Sequence, residues 1–151
     1  MTEHIFLPIN RELLEFYCFY VGVLVFKCIV MIAQVGLSRI YYGVPRNPED
    51  GAPFKAKVYT NELVERNRRA HQNDLENIPF FIVISFLYIL TNPSLEPTQW
   101  IIRTYVISRI VYTFVYTVLK SIWRIPVYEV GLVINFYLAG SVVYHFSGAS
   151  K

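Results

Sequence analysis

Apolar positions along the chain fall into four long runs, Leu13 to Tyr42, Glu62 to Leu90, Thr98 to Leu119 and Ile125 to Phe146. Single polar residues interrupt these runs without the strict alternation of a half-buried strand, which predicts helices. Each run reaches the length of about 20 residues that a helix needs to cross a bilayer. Only short connections remain between them, and no Gly/Ser-rich linker or second apolar core breaks the chain. The pattern predicts one domain over residues 1–151, an all-α membrane protein built as a four-transmembrane-helix bundle.

The second run differs from the others. Its apolar part, Ile78 to Leu90, covers only about 20 Å at 1.5 Å per residue, against a hydrocarbon core of about 30 Å. The remaining turns must come from the polar stretch Val64 to Asn77. Arg69, Asn73 and Glu76 are thereby expected at or inside the membrane boundary, where ionisable groups are costly and usually functional.

Polar side chains recur at helical spacing on all four segments. Glu62, Arg66, Arg69, Asn73 and Glu76 form one stripe on the second, with Arg68, His71 and Gln72 pointing elsewhere. Tyr105, Arg109, Tyr112 and Tyr116 form one on the third, and the fourth carries Arg124, Tyr128 and Asn135. On the first, Lys27, Gln34 and Ser38 share a stripe, with Arg39 one position on. An arginine at mid-bilayer costs about 2.5 to 3.5 kcal/mol on insertion scales, so Arg109 is expected to face inward and pair. Pairing the second and third helices about the turn from Asn92 to Pro97 makes Glu76 its expected partner, as a site component or as an interhelical staple. Cationic and phenolic groups from several helices converging on one half of a bundle would suit a small anionic solute bordering lipid.

Composition agrees with this picture: 54% of the 151 residues are hydrophobic, and the mean hydropathy is +0.37. The net charge of +3 follows from the loops. Arg39, Arg46, Lys55, Lys57, Arg66, Arg68 and Arg69 flank the first connection, Lys120 and Arg124 the third, and the second has neither Lys nor Arg. The positive-inside rule places the first and third loops in the cytosol. No basic patch outside these flanks suggests nucleic acid as a partner. The N-terminal region reads as an uncleaved signal anchor, because no small-residue cleavage site follows it. Cys18 and Cys28, ten residues apart on one helix, are separated by about 15 Å along its axis and cannot form a disulfide. His4, His71 and His145 lack the spacing of metal ligands, and no metal site is expected.

The motifs Val64-Glu65-Arg66, Arg69-Ala70-His71 and Asn73-Asp74-Leu75-Glu76-Asn77, with Asn47-Pro48-Glu49-Asp50 before them and Asn92-Pro93 after them, resemble the membrane-associated proteins in eicosanoid and glutathione metabolism. The resemblance is to the branch of microsomal glutathione transferase and microsomal prostaglandin E synthase, and it spans nearly the whole chain. It implies a homotrimer that binds glutathione as co-substrate between helices of adjacent subunits, with a hydrophobic second substrate entering from the lipid bilayer. The implied glutathione contacts are Arg39, Arg69, Asn73, Glu76, Arg109, Tyr112, Tyr116 and Tyr128, with Arg124 beside the thiol as the catalytic group. Among them, Tyr112 stands where the family usually has a histidine.

The resemblance also has departures. Gln72 replaces an arginine and Ile125 a serine of the prostaglandin synthase type, and the step from Tyr116 to Arg124 is one residue short. Gly51 stands where some transferases carry a stress-sensing cysteine. The expected function is conjugation of the glutathione thiolate to hydrophobic electrophiles, with peroxidase activity toward lipid hydroperoxides as a second use of the same thiolate. The alternatives are a glutathione-dependent prostaglandin-type isomerase and a non-catalytic lipid-presenting scaffold. The expected location is the endoplasmic reticulum membrane, with the outer mitochondrial membrane also open.

Overall fold

A computed structural model describes residues 10–51 and 60–148. Four long helices and one short one follow in order: α1 Arg11–Tyr42, α2 Pro48–Gly51, α3 Glu62–Ile89, α4 Leu95–Phe114 and α5 Arg124–Phe146. A π-helical turn, Val115–Leu119, extends α4. Among the described residues, α1, α4 continued through Leu119, and α5 are long and apolar enough to cross a membrane. The expectation of an N-terminal anchor falls partly on residues 1–9, outside the described residues, as do Lys55 and Lys57.

Local chemistry sets the helix ends. Asn10 caps α1 by accepting from Leu13 N at 3.3 Å, so the helix starts two residues before the expected Leu13. It stops at Gly43, whose φ of 62° is left-handed and whose N–H bonds back to Arg39 and Ile40 carbonyls. Asn61 caps α3, accepting from Leu63 N at 2.9 Å and Val64 N at 3.4 Å. Pro79 lies inside α3, where it removes one backbone donor. Nearby, Asn77 Nδ2 donates to Asn73 O at 2.8 Å, and Tyr105 Oη donates to Asn77 O at 3.1 Å, which ties this region to α4.

α1 and α5 each pack against both α3 and α4. The consecutive helices α3 and α4 therefore face each other mainly across the interior. Their rings meet there, with Phe81 stacked on Tyr105 at 3.6 Å between centroids and an interplanar angle of 4°. Leu13, Leu24, Ile78, Ile102 and Leu138 complete the core around them. Large apolar side chains such as Phe26, Ile29, Phe80, Val133 and Phe136 point outward, as they do where the surroundings are acyl chains or further protein and not water.

This arrangement corrects the expected pairing of Glu76 with Arg109. Glu76 is exposed and accepts from Gln72 Nε2 at 3.0 Å. The carboxylate inside the bundle is Asp74, fully buried and 2.5 Å from Lys27 Nζ of α1. Helical phase explains the exchange, because Asp74 is four residues from both Ala70 and Ile78, which are buried on the inner stripe. Glu76 is turned away from that stripe.

Candidate functional site

The polar ends of α3, α4 and α5 meet around Tyr116, which the π-helical turn carries. This turn ends at Lys120, a left-handed residue with φ of 52°, and single π turns inside α-helices are frequent at functional sites. Arg124, at the first position of α5, holds its Cζ 5.1 Å from the Tyr116 ring centre. Arg66 of α3 lies 5.5 Å from the same ring and donates from Nη1 to Tyr116 O at 3.4 Å. Arg69 Nε donates to Tyr116 Oη at 3.2 Å. The step from Tyr116 to Arg124 therefore brings the guanidinium over the ring in spite of its shorter length.

Three guanidiniums gather here, and among the described residues one carboxylate, that of Glu62, is bonded to two of them. Glu62 Oε1 accepts from Arg69 Nη2 at 2.7 Å and from Arg66 Nη2 at 3.2 Å. An excess of positive charge is suited to carboxylates, and guanidinium geometry favours two-point contact with them.

Beside the cluster lies a cleft of about 230 Å³ lined by Asn73, Tyr112, Arg124, Ile125 and Tyr128. Tyr112 joins it to the cluster, 5.7 Å from Tyr116 and 6.0 Å from Tyr128 between ring centroids. The Oδ1 atom of Asn73 is buried and has no hydrogen-bond partner among the described residues. Four residues singled out from the sequence thus line one cleft: Asn73, Tyr112, Arg124 and Tyr128. Arg69 and Tyr116 border it through the contacts above.

The other three candidates lie elsewhere. Arg109 is fully buried and sits beneath the cleft, its Cζ 5.4 to 5.5 Å from the ring centres of Tyr105, Tyr112 and Tyr128. Its Nη2 donates to Tyr128 O at 3.0 Å, so within one chain it supports the lining instead of forming it. Arg39 stands on the α1 side of α3, with Nη2 3.9 Å from Glu65 Oε1. It shares a second cleft, of about 470 Å³, with Arg46, Arg68 and His71. Glu76 lines neither cleft.

Asp74 escaped sequence reasoning, although the heptad-like run Ala70, Asp74, Ile78, Phe81 marks it as inward-facing. A third cleft, of about 320 Å³, runs between α3 and α5 and is lined by apolar residues such as Phe80, Val83, Leu132 and Phe136, with Asn135 as its polar member. No group of three or more His, Cys, Asp or Glu side chains among the described residues is placed to hold a metal ion. Cys18 and Cys28 are free thiols.

Comparison with known proteins places these features in a wider set. Microsomal glutathione S-transferase 1 of Mus musculus is 39% identical over 113 residues, covering 71% of this chain and 73% of that protein. The Homo sapiens protein of the same name is 36% identical over the same shares. Prostaglandin E synthase of Bos taurus is 28% identical over 109 residues, 71% of each chain. Residues 17–144, which hold every side chain of both polar clefts, match the MAPEG family over most of the sequence, and the chain belongs to that family.

Proposed function

We propose that this chain is a membrane-bound glutathione transferase that conjugates the glutathione thiolate to hydrophobic electrophiles. The observation that carries this reading is the placement of Arg124 at a cleft shared with Asn73, Tyr112 and Tyr128, beside the Arg66, Arg69 and Tyr116 cluster. The names of the similar proteins, glutathione transferases above all, support the choice of substrate.

Glutathione carries two carboxylates, one ammonium group and one thiol. Arg69 would take a carboxylate alongside or in place of its contact with Glu62, and Arg124 is the group beside the sulfur. A free thiol titrates near 8.5, and lowering that by two units takes about 2.7 kcal/mol of preferential stabilisation of the thiolate. A guanidinium and a phenol donor in a partly desolvated cleft supply interactions of that size. The thiolate then attacks the electrophilic carbon, and the electron pair of the broken bond leaves with the displaced group or moves onto the acceptor. Peroxidase activity would use the same sulfur, attacking the distal oxygen of a lipid hydroperoxide to release the alcohol, with a second glutathione thiol then reducing the sulfenic product to the disulfide and water.

Arg39 faces away from the Arg124 cleft within one chain. This supports a homotrimer in which glutathione lies between adjacent subunits, one giving Arg39 and the other Arg69, Asn73 and Arg124. Exposed Glu76 is free to meet the ammonium group in such a site. The apolar cleft between α3 and α5 begins one helical turn beyond Tyr128, at Leu132, and suits a second substrate arriving from lipid. Orientation with the first and third loops in the cytosol, in the endoplasmic reticulum membrane, would give the site access to cytosolic glutathione.

The similarity to prostaglandin E synthase favours a second reading, glutathione-dependent isomerisation of a lipid peroxide. Ile125 argues against it, because an apolar side chain lines the cleft next to Arg124 where the synthase type carries a serine. The test is an ultraviolet difference titration of the detergent-solubilised protein with glutathione at neutral pH. Thiolate absorbance that disappears in Arg124→Ala, with electrophile conjugation lost in parallel, is the expected result. Absence of glutathione binding would overturn the reading and leave the lipid-presenting scaffold in its place.

A further inference from the structure

Gly131 of α5 is buried, and a Cβ added there would overlap Arg109 Nη2 and come within 2.7 Å of Arg109 Cζ and 3.0 Å of Nε. The missing side chain is the space that the guanidinium occupies. From that position Nη2 donates to Tyr128 O at 3.0 Å and, at the limit of hydrogen bonding, to Val127 O at 3.5 Å. Both carbonyls belong to the turns of α5 that carry Arg124 and Tyr128. The cation also faces the rings of Tyr112 and Tyr128 from below.

We infer that Gly131 is a positioning residue of the glutathione site: by admitting the Arg109 guanidinium against α5, it fixes the rotation of that helix and so the aim of Arg124 and Tyr128. The inference deepens the transferase reading and rests on it for its functional part. A buried cation bound to helix carbonyls and flanked by rings has few alternative placements, since moving it strands a charge in an apolar interior. A methyl group at position 131 must therefore shift Arg109, or α5, or both.

Helix propensity predicts the opposite sign, which makes the test sharp. Alanine is the better helix former, so Gly131→Ala should raise stability if the position is only helical. Gly140, on the same helix with nothing within 4 Å of an added Cβ, is the control. In the solubilised full chain Gly131→Ala is expected to lower the melting temperature by roughly 5 °C, Gly140→Ala to leave or raise it, and Gly131→Ala in an Arg109→Ala background to lower it no further. Additive melting shifts would overturn the fit of Arg109 to Gly131.

For position, the titration midpoint of bound glutathione is expected to move up by about one unit in Gly131→Ala, a tenfold loss of thiolate well below the midpoint. Arg109→Lys combined with Gly131→Ala should recover part of it, because the slimmer head group leaves room for the methyl. Hydrogen exchange over residues 124–128 should rise in Gly131→Ala and not in Gly140→Ala. Coupled melting with an unchanged midpoint and unchanged exchange would overturn the positioning role. If the unsubstituted chain forms no thiolate, the transferase reading falls, while the melting cycle and the exchange still decide whether Gly131 and Arg109 position α5.

Discussion

The interior of the bundle and its polar end hold the same residue types in opposite arrangements. Inside, Lys27 and Asp74 pair at 2.5 Å, with side-chain exposures of 11% and 0%, and Arg109 bonds to helix carbonyls under a set of tyrosine rings. At the end, Arg66, Arg69 and Arg124 crowd one phenol, and Arg69, 42% exposed, shares with Arg66 a carboxylate that is 65% exposed. Charges removed from solvent must be matched, since an unmatched ion in an apolar interior is strongly unfavourable. Charges kept at the boundary can remain in excess and await an anionic partner. Among the described residues the interior thus holds one neutralised pair, Lys27 with Asp74, and one cation, Arg109, held only by carbonyls and rings, whereas the boundary keeps its excess charge where solvent and solutes can reach it.

Asp74→Ala attacks the matched region and should produce the largest effect. It leaves the Lys27 ammonium buried without its partner, a change that typically costs about 3 to 5 kcal/mol. Thermal unfolding in detergent reads it as a large fall in midpoint or as failure to recover folded protein. Replacing both partners, Lys27→Met with Asp74→Leu, should restore most of the loss, because neither charge then needs a match. A double variant as unstable as Asp74→Ala alone would mean that the pair has a role beyond mutual neutralisation.

Arg124→Ala attacks the unmatched region, and its effect should be functional instead. Stability should change little, because the side chain lies over the face of one ring at the edge of a cleft. Thiolate formation should fall by about a hundredfold, the equivalent of about 2.7 kcal/mol. If Arg124→Ala unfolded the protein while leaving the thiolate fraction of the folded remainder intact, the contrast between the two regions would collapse.

Much of this contrast is legible in the amino-acid sequence. Runs of apolar residues marked the helices, and the stripe of Tyr112 and Tyr116 together with Arg124 and Tyr128 marked the cleft, because side chains at spacings of three and four share a face. The sequence pattern points to the wrong inner carboxylate because depth along the helix axis barely separates Glu76 from Asp74, which differ by only about 3 Å. The decisive coordinate was rotation about that axis, and Asp74 alone lies in phase with buried Ala70 and Ile78. The placement of α3 and α4 across the bundle also lay beyond the pattern, since a short turn joins consecutive helices whether they end as neighbours or as opposites. Gly131 carried no signal of its own, and its meaning comes from a side chain on another helix.

Tyr116→Phe sharpens the comparison within the boundary cluster. It deletes the hydroxyl that accepts from Arg69 Nε at 3.2 Å and leaves the ring under Arg124 and Arg66. One hydrogen bond to a charged group at a partly solvated site is worth about 1 to 2 kcal/mol, so the melting temperature should fall by only a few degrees, and glutathione affinity several-fold as Arg69 loses its support. Loss of the thiolate signal as complete as in Arg124→Ala would instead assign the phenol hydroxyl, and not the guanidinium, as the main stabiliser of the sulfur.

Glu76→Gln should have the smallest effect on stability. The side chain is exposed and its recorded partner, Gln72, lies one turn back on the same helix, a contact that glutamine can replace. A surface change of this kind usually stays within about 0.5 kcal/mol, in contrast to the collapse expected for Asp74 two residues away. Its value lies in what else moves. If the assembled site draws on this carboxylate for the glutathione ammonium group, affinity should drop several-fold for glutathione and remain unchanged for an analogue lacking the amino group. Equal weakening for both ligands would remove Glu76 from the site, and a large fall in melting temperature would return it to the interior role that its helical phase denies.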